Sequence, residues 1–185
     1  MRHKLFLLLV VSALSAISCA CPVYAQDVQV TSVGVIGNER VVTDYILGVV
    51  ETKPGSILSR DLLQKDADRI YEQGFFSYAD FDIRPEGGGV SVMFTVQENP
   101  VIESINFTGN NVYTTEQLMT EVFSQPGTTF NRRFFTNDLD RIQEKYHNAG
   151  YAMVRVSDVQ TYGGNIYVTI TEPKIRDPHH SVTGI

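Results

Sequence analysis

"FTVQENPVIESINFTGN", Phe94 to Asn110, runs from one strand-like alternation into another, with Glu98, Asn99 and Pro100 between them. Proline has no backbone N–H and a fixed φ, so it sits poorly inside a paired strand. It also drives Asn99 towards an extended backbone. A short, stiff, extended break suits a joint between two folded units. That reading requires the chain before Phe94 to resemble the chain after Asn110.

It does. Gly37-Asn38 recurs as Gly109-Asn110, Pro54-Gly55 as Pro126-Gly127, and Asp66 and Ile70 as Asp138 and Ile142, all 72 positions apart. The spacing then becomes 76, with Gly74 matched to Gly150 and Gly88 to Gly164. The four extra residues fall in a helical pattern and add about one turn, which keeps the buried face in phase. Each copy of roughly 70 residues is large enough to hold one core.

Each copy reads strand, helix, helix, strand, strand. In the first, Val33 and Val35 alternate up to the turn at Gly37–Glu39. A short helix follows Thr43, with Ile46 and Val50 on one face. Ser59 caps a longer helix, and Leu58 and Leu63 take the two staple positions. Leu63, Ala67, Ile70 and Tyr71 form its apolar stripe, and Gly74 ends it. Ala79, Phe81 and Ile83 then share one side of a strand, Glu86–Gly89 turns the chain, and Val90, Val92, Phe94 and Val96 alternate back. In the second copy Ile105 and Phe107 replace Val33 and Val35, and Asn131 takes the cap, with Phe130 and Phe135 as staple. Leu139, Ile142 and Tyr146 continue the stripe. Val154 and Val156 open a strand, and Ile166, Val168 and Ile170 answer it. The predicted fold class is α+β: two β-α-α-β-β modules, each a three-stranded mixed sheet with two helices on one face. The predicted divisions are 1–25, 26–99, 100–173 and 174–185. Glu98, Asn99 and Pro100 form the seam, and Pro173 marks the same seam after copy two.

Residues 1–25 read as an export signal: Arg2 and Lys4, an apolar run from Leu5 to Ile17, and small residues at Val23–Ala25 before Gln26. The run is shorter than the roughly 20 residues a bilayer core needs. A lipid anchor at Cys19 is the second reading. Both cysteines, Cys19 and Cys21, lie in this segment, so the cut chain has no disulfide and no cysteine nucleophile. The net charge of −6 argues against a nucleic-acid partner, which needs clustered Lys and Arg. Asp80 and Asp82 read as a solvated strand face that discourages edge-to-edge aggregation, rather than as a catalytic pair. His147 reads as a polar helix end. His179-His180 is too small a set to hold a metal. Gly87–Gly89 is a hairpin turn rather than a phosphate loop. Neither a cofactor nor a metal is implied. No clustered nucleophile or acid–base set marks an enzyme.

The motifs "VIGN", "KPG", "LQKDADRIYEQGFFSYADFDI", "VMFTVQENPVI" and "INFTGN" together resemble a pair of POTRA modules, the periplasmic part of BamA-type outer-membrane assembly proteins. The resemblance covers about residues 28–175. It implies a periplasmic location after signal cleavage, ahead of a membrane-embedded barrel. It implies as partners unfolded outer-membrane proteins and accessory periplasmic lipoproteins. It also implies that the second strand of each module lies at a sheet edge: Ser77–Arg84 in copy one and Ala152–Gln160 in copy two. An open edge presents unpaired backbone groups that accept an extended peptide. The client-binding residues expected on that basis are Ser77, Tyr78, Asp80, Phe81 and Ile83, and Met153, Val154, Val156 and Asp158. Proline in place of Asp80 or Val156 is expected to weaken client binding without unfolding the module. The alternatives are the POTRA region of a two-partner secretion transporter and a stand-alone periplasmic adaptor. No barrel follows Pro173 here, which fits either a part of a longer protein or such an adaptor. A cell-division scaffold with one such module would need an uncleaved anchor.

Overall fold

The computed structural model describes residues 27–173. The expected export signal, Cys19, His179-His180 and the segment from 174 onward lie outside the described residues. The first module contains β1 (Val30–Ile36), α1 (Thr43–Val49), α2 (Arg60–Glu72), β2 (Phe76–Glu86) and β3 (Gly89–Glu98). The second contains β4 (Ser104–Thr108), α3 (Thr115–Met119), α4 (Arg132–Asn148), β5 (Arg155–Tyr162) and β6 (Asn165–Thr171). The sheets are ordered β1-β3-β2 and β4-β6-β5. The first strand of each runs parallel to the last, and the second runs antiparallel to it.

The helix ends follow the sequence pattern. Ser59 accepts the Leu62 N–H, and Asn131 accepts those of Arg133 and Phe134. The Phe130–Phe135 staple packs with ring centroids 5.6 Å apart. Helix α4 has 17 residues and α2 has 13, so the four-residue insertion lengthens the helix as expected. Two separate cores form. One gathers Leu63, Ile70, Phe76, Val92 and Phe94, the other Leu118, Phe135, Ile142, Tyr146 and Val168. The repeated Gly37 and Gly109 have φ of 91° and 79°, and a Cβ on either would collide with the carbonyl of Val96 or Ile170.

Three expectations are corrected. Tyr71 is 40% exposed, and the stripe position beside Ala67 belongs to Asp66, which is fully buried. Beta-strand β5 begins at Arg155. The turn at Tyr151–Val154, closed by the Val154 N–H on the Tyr151 carbonyl at 3.1 Å, sends Val154 into the core at 5% exposure. Finally, the last strands align 74 apart: Val168 stands opposite Phe107 as Phe94 stands opposite Val35. Pro173 therefore falls at the place of Asn99, not of Pro100.

Candidate functional site: two strand edges and the seam between them

Each sheet has two outer strands, and the fold covers one of them in part. The loop after α1 pairs with the start of β1: the Gly55 N–H donates to the Val30 carbonyl (2.7 Å) and the Val30 N–H to Ser56 (2.9 Å). The loop after α3 does the same to the chain entering β4, where Ile102 exchanges bonds with Thr128 and Gly127, each 2.8 Å. Among the described residues, the edges left open are β2 and β5.

The hairpins set which backbone groups face outward. Glu86 and Gly89 flank the two-residue loop Gly87-Gly88 and form a bonded pair, after which bonded and non-bonded pairs alternate. Arg84, Asp82 and Asp80 thus bond towards β3, while Pro85, Ile83, Phe81 and Ala79 turn their backbone groups to the open edge. Pro85, which has no N–H, sits at an outward position, as an edge proline should. This corrects the proline expectation: the Asp80 N–H belongs to the ladder, so proline there breaks the sheet. In the second hairpin Tyr162 pairs with Asn165, so Gln160 and Asp158 bond towards β6 while Thr161 and Val159 face outward.

The expected site residues separate accordingly. Ser77 and Tyr78 are exposed at the start of β2, and Phe81 and Ile83 are half-buried against the core beside Ala79. Asp80 accepts the Tyr78 hydroxyl (2.8 Å) on Oδ2 and the Phe81 N–H (2.8 Å) on Oδ1. Asp82 accepts the Ile83 N–H (2.9 Å) and Arg84 Nε (2.7 Å). The Arg84 bond holds the Asp82 carboxyl below the usual carboxylate range. In module two, Val156 is half-buried and Asp158 exposed on β5. Met153 is 77% exposed but precedes the strand, and Val154 is core. Between α4 and β5 lies a groove of ≈ 440 Å³ lined by Gln143, His147, Met153, Arg155, Thr171 and Pro173.

The seam is tightly bonded. Glu98 accepts the N–H groups of Glu39, Arg40 and Val41 at 2.8, 3.0 and 2.8 Å. Asn99 donates its backbone N–H to Phe75 (2.8 Å) and its side-chain amide to the carbonyls of Gly74 (2.8 Å) and Phe130 (3.0 Å). The Asn131 amide donates to Gln73 (2.9 Å) and the Arg132 N–H to Gly74 (2.9 Å). The orphan carbonyls at the end of α2 are thus satisfied by the start of α4, which joins the two helices end to end. Phe75 meets Phe134 edge-on at 5.8 Å, and Arg132 lies 4.5 Å over the Tyr71 ring. Glu172 repeats the role of Glu98, accepting the N–H groups of Asn111 (2.9 Å) and Val112 (3.1 Å) and the Tyr146 hydroxyl (2.8 Å). Burial, then that bond to Glu172, pushes the Tyr146 hydroxyl above its ordinary range.

The repeated aspartates hold the loop that follows the first helix of each module, a role the sequence reading missed. Asp66 accepts the N–H groups of Glu51 (2.8 Å) and Thr52 (2.9 Å), and Asp138 those of Phe123 (3.1 Å) and Ser124 (2.9 Å). Arg69 and Arg141 pair with them one turn on. Burial pushes the Asp66 carboxyl up. The two backbone donors, Glu51 and Thr52, and Arg69 outweigh that and hold it below the usual range. The signal was there: an acid inside an apolar stripe, kept at the repeat spacing.

Among the described residues, no group of three or more His, Cys, Asp or Glu is placed to hold a metal. No described helix is long and apolar enough to cross a membrane.

This arrangement has relatives. Outer membrane protein assembly factor BamA of Nitratidesulfovibrio vulgaris is 24% identical over 128 residues, 69% of this chain and 16% of that protein. A putative outer membrane protein assembly factor of Treponema pallidum is 27% identical over 115 residues, 60% of this chain and 13% of that protein. The chain thus spans less than a fifth of either curated relative's length. The N-terminal domain of Omp85 from Thermosynechococcus elongatus superposes with a TM-score of 0.71 at 25% identity, over 82% of this chain and 73% of that one. The POTRA family, described as surface antigen variable number repeat, matches residues 28–99 and again 100–172. With both halves matched and the seam between them at Pro100, the chain belongs to the POTRA family.

Proposed function

We propose that this chain is the periplasmic polypeptide-receiving part of an outer-membrane β-barrel assembly factor. It holds unfolded outer-membrane proteins by strand addition at module edges and docks accessory lipoproteins. The observation that carries this reading is the position of the second strand in each sheet, left at an edge while loops cover part of the other side. The assembly names of the two curated relatives support it. The location proposed is the periplasm after removal of residues 1–25, with attachment to the outer membrane if the full-length protein carries a barrel.

Recognition here is an exchange of backbone hydrogen bonds. It selects extended conformation over any one sequence, which suits a receiver of many clients. It needs no cofactor, and the role is binding rather than catalysis.

The test is photocrosslinking. A photoreactive side chain is placed in turn at Met153 and Val159, both exposed. A urea-denatured outer-membrane barrel protein is then diluted into the solution. Adducts with the unfolded client and none with its folded form are expected. Equal adducts with both forms would sink the reading.

A further inference from the structure

The two open edges are not equivalent. Asp80 stands opposite Thr95 in the first sheet as Asp158 stands opposite Thr169 in the second, and Asp82 opposite Met93 as Gln160 opposite Tyr167. The four side chains thus occupy two matched positions. In module one each carboxylate takes the outward N–H of the next residue, Phe81 or Ile83. In module two the pair is spent on itself: Gln160 Nε2 donates to Asp158 Oδ2 at 2.8 Å. The outward N–H groups of Val159 and Thr161 have no partner among the described residues.

We propose that β5 is the receiving edge and that Asp80 and Asp82 guard β2 against strand addition. The inference rests on the strand-addition reading above and says which edge carries it. An incoming strand at β5 finds the Val159 and Thr161 donors free, whereas along β2 the outward donor left free is that of Ala79. At β2 it must first displace two carboxylates and then bury their charge beside it, and Pro85 offers no donor at all. Cover differs too. Along β2, Ala79, Phe81 and Ile83 are half-buried beneath α2, whereas β5 is exposed along its length except at Val156, and the groove beside α4 stays open.

Charge points the same way. The β2 edge presents Asp80 and Asp82, the latter paired with Arg84, while Glu86 turns across the sheet to the Thr31 and Ser32 hydroxyls. The β5 groove presents Arg155, which has no ion pair among the described residues, and His147. The occupant that fits β5 is an extended segment with alternating apolar residues and an acidic group near Arg155. The same segment is repelled at β2.

The experiment uses residues 27–173 labelled for NMR. The probe is a peptide of about ten residues alternating valine with threonine, with a glutamate at one end. In the native chain the amides of Val156–Tyr162 are expected to shift on titration while those of Tyr78–Arg84 stay still. In the double variant Asp80→Ala with Asp82→Ala, Phe81 and Ile83 should begin to respond, with β2 affinity rising roughly tenfold as two donors are freed. The variant Asp80→Asn with Asp82→Asn keeps the acceptors and should stay guarded at β2. Val159→Pro, at an outward N–H that the sheet does not use, should weaken the β5 response roughly tenfold and leave β2 unchanged. Equal response of both edges in the native chain, or a silent β2 after both aspartates are removed while β5 binds, would overturn the guard. Silence at both edges in every variant would overturn strand addition itself, and the guard with it.

Discussion

The two modules share a fold, a helix grammar and a pair of buried aspartates, yet they treat their second strands in opposite ways. Strand β2 half-buries Ala79, Phe81 and Ile83 and has the outward donors of Phe81 and Ile83 held by Asp80 and Asp82. Strand β5 is bare, with Asp158 and Gln160 bonded to each other. The lesson is that an edge is not a site merely by being an edge. On the proposal above, two hydrogen bonds per strand decide whether the same backbone is closed or open. A duplicated domain can therefore keep one copy for support and one for reception.

The largest expected effect concerns what the modules share. Asp66→Ala strands one buried and one part-buried backbone donor and takes a partner from Arg69, and Asp138→Ala does the same to its loop and Arg141. Each should cost about 3 kcal/mol, measured by urea unfolding. A marked inequality between them would break the picture of one device used twice.

Next come the glycines that end α2 and α4. Gly74 has φ of 87°, and a Cβ there would meet Asn131 Oδ1 at 2.6 Å and the Arg133 nitrogen at 3.0 Å. Gly150 has φ of 91° with nothing within 4 Å. Gly74→Ala should therefore cost about 3 kcal/mol, from backbone strain plus disruption of the seam. Gly150→Ala should cost about 1 kcal/mol, from strain alone. Thermal unfolding separates them, and equal losses would remove the seam from the account.

Val159→Pro should lower affinity for an extended peptide by roughly tenfold with little loss of stability, because its N–H is outside the ladder. The smallest effect is on pH dependence. The folded pKa of Asp66 is depressed, so its contribution is fully present above the ordinary carboxylate value of about 4 and is lost as pH falls through the folded value. Urea midpoints should therefore hold steady from neutral pH to about 5 and fall below about 4. In Asp66→Ala that acid loss should be reduced.

Most of the fold was legible because its signals are local. The repeat spacing, the Ser59 and Asn131 caps, the Phe130–Phe135 staple and the glycine hairpins each rest on a few adjacent residues, and all stand where the pattern placed them. The misses are non-local. Val154 alternates with Val156, yet a turn closed from Tyr151 folds it into the core. Asp66 interrupts an apolar stripe, and only the returning loop at Glu51-Thr52 shows why. The guard at β2 was least legible. "ADFDI" and "SDVQT" both read as polar edges, and which N–H each side chain can reach depends on the hairpin register and on whether a carboxylate has a closer amide partner. The one-residue offset that puts Pro173 in the place of Asn99 likewise emerges only from strand pairing.

The most direct test of the central claim is a crystal structure of residues 27–173 with an extended valine–threonine peptide bound. The account expects the peptide as a fourth strand beside β5, bonded to the Val159 and Thr161 N–H groups, with Asp80 and Asp82 still on Phe81 and Ile83. A peptide strand beside β2, with those carboxylates displaced and β5 empty, would contradict it.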